Sequence, residues 1–314
     1  MPPVAEHPWS IHYVQLKLAV TLFRIVGGTI AWLVFYIRSV PLKGIVSKRV
    51  AFPSRDKGRD IAVDIYTPEG CDTSQPRPVL VNMHGSGFVV SALGTDRAFC
   101  AFIATHTPCT VLDIAYRKAP EHPFPAALED VQDVLAYLPT RPAQFDASSI
   151  FLSGFSAGGC LALSTAASLG PDRVRGVAAL YPVTDCTRVY PAPGTPFAAG
   201  YVIPKWQCDV FYDAYLVPGQ ARADPRVSPL FARPERFPAH VYIACGEADT
   251  FHEQAEALAR KLQAEKGGDM DVVFESVKGE GHAFDKSAEE GTASAAKRDG
   301  MYAGAADMIN RAME

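Results

Sequence analysis

Ile150-Phe151-Leu152-Ser153, followed directly by Gly154-Phe155-Ser156-Ala157-Gly158, is the stretch on which the fold turns. The first four residues read as a short buried strand, and Ala157 to Leu169 as a helix of small residues. Between them the pentapeptide has the form G-x-S-x-G, in which a serine occupies a tight turn between strand and helix. Small flanking residues let the backbone pack closely around that turn. The helix that opens after Ser156 aims its free N–H groups and the positive end of its dipole at the serine. Both features favour negative charge developing beside Ser156, which makes it the candidate nucleophile.

Outward from this stretch, strands and helices alternate. Val46 to Phe52 and Asp60 to Tyr66 read as strands joined by a charged turn, Ser54 to Gly58. Val79 to Met83, Thr110 to Ala115, Val177 to Tyr181, His240 to Cys245 and Val272 to Val277 are further short apolar strands. Ala126 to Leu138 has helical spacing, with Leu128, Val131, Leu135 and Leu138 on one side, and Glu253 to Ala264 is amphipathic. Such alternation predicts a mostly parallel sheet covered on both faces. Ligands of such sheets bind at the carboxyl ends of the strands, and the chemically suggestive residues all follow predicted strands.

A serine nucleophile on this kind of turn requires an acid and a histidine, in the order Ser, Asp/Glu, His. Cys245-Gly246-Glu247-Ala248-Asp249 and Gly281-His282-Ala283-Phe284 supply them. His282 would take the serine proton and pass it to the leaving group, while Asp249 would fix its tautomer. Glu247 is the rival acid. His240 opens a strand, at the wrong end of the sheet. His252 sits in a helix's first turn, and His7 and His12 in the N-terminal segment. Asp224 precedes a proline and reads as a turn residue. His84-Gly85-Ser86-Gly87-Phe88 follows a strand, and its glycine-rich backbone can turn N–H groups inward to form an oxyanion hole with the Ala157 amide. The His84 ring is expected to hold this loop rather than act as a base.

Composition agrees with an ordinary globular enzyme. The 314 residues are 48% hydrophobic and 20% charged, with a formal net charge of −4. No basic block is present, which argues against nucleic acid as a partner. Seven scattered cysteines (71, 100, 109, 160, 186, 208 and 245) include no C-x-x-C pair. Zinc-ligand spacing is absent, and free thiols in a reducing compartment, the cytoplasm, are expected. Residues 13–40 are apolar-rich but interrupted by Lys17 and Arg24. The uncharged run Ile25 to Ile37 is shorter than the ~20 residues of a membrane span, and Arg38-Ser39-Val40-Pro41 is a poor signal-cleavage site. The segment reads as cap helices with one greasy face, with peripheral membrane contact as the alternative. Pro191 to Arg226 carries Phe197, Tyr201, Trp206, Phe211, Tyr212 and Tyr215 and breaks the strand–helix rhythm. It is either a cap that lines the substrate pocket or an insertion packed in the ordinary way.

The chain resembles the hormone-sensitive-lipase family of α/β hydrolases. The resemblance is carried by H-G-S-G-F at 84–88, Y-R-K-A-P-E-H-P-F-P-A-A at 116–127, G-F-S-A-G-G at 154–159, D-P-R-V-S-P-L at 224–230, G-E-A-D at 246–249 and G-H-A-F at 281–284. Their order and spacing agree over roughly residues 45 to 290. The resemblance implies an α/β-hydrolase fold with a mostly parallel eight-stranded sheet flanked by helices. It implies a helical cap over 1–44 and a catalytic domain over 45–314, with a cap insertion at about 187–226. It implies hydrolysis of short to medium acyl esters with no cofactor and no metal, and adds a homodimer to the partners beside a small-molecule ester. By motif position the triad is Ser156, Asp249 and His282, with oxyanion donors among Gly85, Ser86, Gly87 and Ala157. Acyl transfer, and lactone or amide cleavage, would use the same triad. A binding receptor on this fold is the reading from another class, and His282 argues against it.

Two residues depart from the family pattern. The second glycine of the oxyanion loop is Ser86, whose amide stays useful only if its dihedrals suit a non-glycine residue. The acidic residue that ordinarily precedes the nucleophile is Phe155, so the loops around His84 or Tyr116-Arg117 must be braced differently. Altered specificity is expected rather than lost activity. Arg117, Glu121 and His122 are expected to hydrogen-bond the backbone of their own loop.

Overall fold

The strands assemble into one sheet of eight. The computed structural model describes residues 10–37, 42–72, 74–189, 191, 193–265 and 270–314. The strands are β1 (Ile45–Pro53), β2 (Asp60–Pro68), β3 (Arg77–Met83), β4 (Thr110–Ile114), β5 (Phe145–Phe155), β6 (Gly176–Leu180), β7 (His240–Gly246) and β8 (Asp271–Val277). Their order across the sheet is β1-β2-β4-β3-β5-β6-β7-β8. β2 pairs antiparallel with both β1 and β4, and every pairing from β4 through β3 to β8 is parallel. This is the mostly parallel α/β-hydrolase sheet expected from the sequence.

Helices cover both faces, which is why β4 and β6 are buried along their whole length, Asp113 of β4 included, and why β6 reads as a continuous apolar run. The helices are α1 (Ile11–Ile37), α2 (Arg97–His106), α3 (Ala126–Tyr137), α4 (Ala157–Leu169), α5 (Lys205–Tyr215), α6 (His252–Glu265), α7 (Phe284–Ser287) and α8 (Ala293–Met313). α2 and α8 pack together on one face, and α3, α4 and α6 cover the other. In α4, Ala157 through Ala167 are all buried, as a helix packed against the centre of the sheet requires.

The N-terminal expectation needs correction. In place of several cap helices, Ile11–Ile37 is one helix of 27 residues. It packs on α5, with Phe23 stacked on Trp206 at 5.6 Å and tilted against Phe211 at 5.4 Å. Arg24 anchors it by a two-armed ion pair with Glu121, at 2.8 and 2.7 Å, and by bonds to the carbonyls of Val89 and Ala119. Glu121 therefore braces α1 as well as accepting from its own backbone amide. Burial alone would raise its pKa, but the Arg24 guanidinium holds it below the ordinary value. His7 and Arg38-Ser39-Val40-Pro41 lie outside the described residues. Among the described residues no helix is long and apolar enough to cross a membrane.

Candidate active site

Four connections at the carboxyl ends of parallel strands converge on one point. The β5–α4 turn places Ser156 at φ +54°, ψ −116°, a strained conformation for a non-glycine residue. Close packing of glycines maintains it. A Cβ on Gly158 would come within 1.9 Å of the Met83 carbonyl oxygen at the end of β3. The strand-to-helix turn can thus lie directly against the neighbouring strand end only with glycine at this position.

His282, beyond β8, points Nε2 at the Ser156 hydroxyl, 3.1 Å away. Its Nδ1 lies 2.8 Å from Asp249 Oδ2, beyond β7. The other Asp249 oxygen accepts the Phe251 amide at 2.8 Å, so the carboxylate is held from both sides. Ser156, Asp249 and His282 are all buried, at 7, 0 and 2% exposure. The rings of Tyr181, Tyr201 and Phe251 meet His282 edge-on at 4.8–5.4 Å and fix its plane. Tyr201 also exchanges two backbone hydrogen bonds with His282, at 3.0 and 2.7 Å. The segment between β6 and β7 therefore holds the histidine as well as covering the cavity.

The competing residues go elsewhere. Glu247 accepts from the Gly279 amide, His240 pairs with Asp271, His252 meets Ser276, and Asp224 closes a turn onto Arg226. His84 contacts its neighbour's carbonyl through Nδ1 and Lys118 through Nε2. Burial, then the Lys118 charge, push its pKa well below the ordinary histidine value. It is a bracing residue, as expected.

After β3, residues Gly85 to Gly87 line the same cavity as Ser156. The amides of Ser86, Gly87 and Ala157 donate to no protein acceptor among the described residues, which leaves them for a ligand oxygen. Ser86 does not adopt positive φ, so a serine fits where the family has glycine. Its hydroxyl lies 2.7 Å from the Tyr116 phenol oxygen and accepts the Phe88 amide at 2.9 Å. Tyr116 donates to the His84 carbonyl at 2.6 Å, and Lys118 donates to the Tyr116 carbonyl at 2.7 Å with Nζ 3.0 Å from the centre of the Tyr116 ring. This clamp is how the loop is braced in the absence of an acid at 155. The sequence offered no signal for the pairing, because 30 residues separate the partners. Arg117 does bond its own loop's backbone, at Ala126, but is held chiefly by the carboxylates of Asp130 and Glu129.

Phe155 is fully buried, edge-on to Phe99 at 5.0 Å, and the Lys286 ammonium stands 3.8 Å from its ring centre. Lys286 also lies 2.8 Å from Asp96 and 2.9 Å from Asp285, contacts that are ion pairs rather than aligned hydrogen bonds. Tyr181 and Tyr302 donate to the two oxygens of Asp285. Burial opposes a charge on Lys286, but Asp285 and Asp96 outweigh it and raise its pKa well above the ordinary lysine value. This cluster was not legible in the sequence.

A cavity of about 1110 Å³ opens above Ser156 and His282. Tyr201, Phe211 and Tyr212 line it, Tyr215 instead stacks on Phe88 at 3.8 Å, and Phe197 and Trp206 are exposed. Both readings of the aromatic stretch thus hold, for different residues. All seven cysteines are unpaired, and no group of three or more His, Cys, Asp or Glu side chains among the described residues is arranged to hold a metal.

A family model described as alpha/beta hydrolase fold matches residues 80–286. The chain is 30% identical over 220 residues to the ethyl acetate hydrolase of Pseudomonas putida, a match spanning 68% of this chain and 69% of that protein. It is 33% identical over 211 residues to the carboxylic ester hydrolase LipN of Mycobacterium tuberculosis, spanning 63% and 55% respectively. It is 28% identical over 265 residues to the versiconal hemiacetal acetate esterase of Aspergillus parasiticus, spanning 77% and 79%. Among solved structures, an esterase of Pyrobaculum calidifontis superposes with a TM-score of 0.76 at 26% identity, over 94% of each chain.

Proposed function

Since the chain belongs to the hormone-sensitive-lipase family of the α/β-hydrolase fold, we propose that it hydrolyses carboxylic esters through an acyl-enzyme on Ser156. The observation that carries this reading is the continuous line Asp249–His282–Ser156, with contacts of 2.8 and 3.1 Å, facing three unengaged amides.

As the Ser156 oxygen attacks the ester carbonyl, His282 Nε2 accepts its proton. Asp249 holds the imidazole with Nδ1–H directed at itself and stabilises the imidazolium. The carbonyl oxygen becomes an oxyanion, held by amide donors from Ser86, Gly87 and Ala157. Collapse breaks the bond to the alcohol oxygen, which takes the proton from His282. Water then repeats the cycle, giving a proton to His282 and its oxygen to the acyl carbon, and Ser156 is restored. Acyl transfer and lactone or amide cleavage would pass through the same intermediate. The named activities of the relatives support water as acceptor and an ester as substrate.

The size of the cavity and its aromatic wall support acyl chains of short to medium length. The unpaired thiols support a reducing, cytoplasmic setting. The test is hydrolysis of p-nitrophenyl esters from acetate to palmitate, with Ser156→Ala beside the parent. Turnover highest on short and medium chains and abolished in the variant is expected. Turnover unaffected by the substitution would refute the assignment.

A further inference from the structure

The helix that covers the cavity is apolar on two opposite sides. Inward, Val20 is fully buried and Phe23 lines the cavity. Outward, Ile11, Val14, Leu18, Leu22 and Ile25 recur at three- and four-residue intervals, which aligns them in one stripe along the helix. Each is between 43 and 78% exposed. At 1.5 Å per residue the stripe is about 21 Å long. A helix lying on a globular enzyme ordinarily turns polar residues outward, so a continuous apolar stripe marks an interaction surface.

Charge and continuity indicate what covers it. Ile11–Ile37 contains no acidic residue; its charges are Lys17 and Arg24. Arg24 is turned inward onto Glu121, and Lys17 is exposed beside the stripe. Lys43 stands exposed at the cavity mouth, while Lys205 at the start of α5 is paired with Asp209. A second copy docking through the same face would oppose these lysines to themselves, whereas an anionic lipid surface would attract them. On the inward side of the helix, Trp206 of α5 stacks on Phe23 and is itself 59% exposed. An exposed indole suits the layer between headgroups and acyl chains.

We propose that α1 is a membrane-docking helix, with its outer stripe lying in the plane of an anionic bilayer surface. The docking does not depend on the esterase reading; delivery of membrane-dissolved esters to Ser156 would.

The full chain is sedimented with phosphatidylcholine vesicles, with and without phosphatidylserine. It is expected to co-sediment, and more strongly with the anionic lipid. The Leu18→Glu/Leu22→Glu variant is expected to lose roughly tenfold or more of its vesicle partitioning. It should hydrolyse dissolved p-nitrophenyl acetate as the parent does, since neither side chain lines the cavity. Unchanged far-ultraviolet circular dichroism shows that the variant is folded, whether or not the parent turns over the ester. Failure of the parent to bind vesicles overturns the proposal, as does binding that survives both substitutions. A dimer seen by light scattering, dissolved by the substitutions and without vesicle binding, assigns the stripe to a second copy and overturns it too.

Discussion

The Ser86 hydroxyl lies 2.7 Å from the phenol oxygen of Tyr116, which itself donates to the carbonyl of His84. One tyrosine thus ties both sides of Gly85, and the amides proposed for the oxyanion are held from beneath. Ser86→Ala keeps the amide but frees the loop. We expect kcat to fall roughly tenfold, equivalent to about 1–1.5 kcal/mol, with KM little changed. Tyr116→Phe should cost about the same, and the double variant little more, because both remove one clamp. Fully additive losses would show that the two side chains act separately.

Gly87 has φ +55°, and a Cβ there would stand 2.5 Å from a ring carbon of Phe211 in α5. Gly87→Ala therefore combines left-handed strain of about 1–2 kcal/mol with a clash that displaces either the loop or Phe211. We expect kcat/KM to drop by about tenfold or more, with part of the loss recovered in Gly87→Ala/Phe211→Ala. If the second substitution recovers nothing, strain alone accounts for the defect.

Lys286 separates the carboxylates of Asp96 and Asp285, both fully desolvated. Lys286→Met would leave two buried anions without their cation. Breaking such a group costs about 3 kcal/mol, the low end for buried pairs because the lysine stem reaches the cavity. Thermal unfolding is expected to show a loss of this size. A loss below about 1 kcal/mol would mean that the cluster contributes little to the fold.

Burial, reinforced by the nearby Asp96, pushes the pKa of Asp113 up to about 8 from an ordinary 3.8. Between those values the folded chain holds a proton that the unfolded chain releases. This contribution to stability is therefore full below about pH 4 and lost as pH rises through about 8. Asp113→Asn, which stays neutral, should gain in Tm relative to the parent as pH rises from 5 to 9. A difference in Tm that stays constant over that range would contradict the shift.

The eight strands were legible, most of them as short apolar runs closed by a turn and β1 and β2 as a pair joined by a charged turn, and their ends came out within about five residues of the expectation. β5 is the widest case: its first residues, Phe145 to Ser149, include Asp146, Ser148 and Ser149, which break the apolar run. Ser156, Asp249 and His282 were legible because strand order fixes where such residues can meet. α2, α5 and α8 were not anticipated: α2 is ten residues long, α5 lies in a proline-rich stretch, and α8 contains Gly300 and Gly304. The Phe155–Lys286 contact and the Ser86–Tyr116 clamp are products of packing between distant segments. In the sequence they showed only as departures from a pattern. Arg24 read as an interruption of an apolar segment, and its partner Glu121 lies 97 residues away.

The central claim is that His282 and the surrounding amides activate Ser156. It is tested most directly by treating the folded protein with a fluorophosphonate and locating the adduct by peptide mass. A single adduct on Ser156 is predicted, absent in Ser156→Ala and strongly slowed in His282→Ala. No adduct on folded protein, or one placed elsewhere, would contradict it.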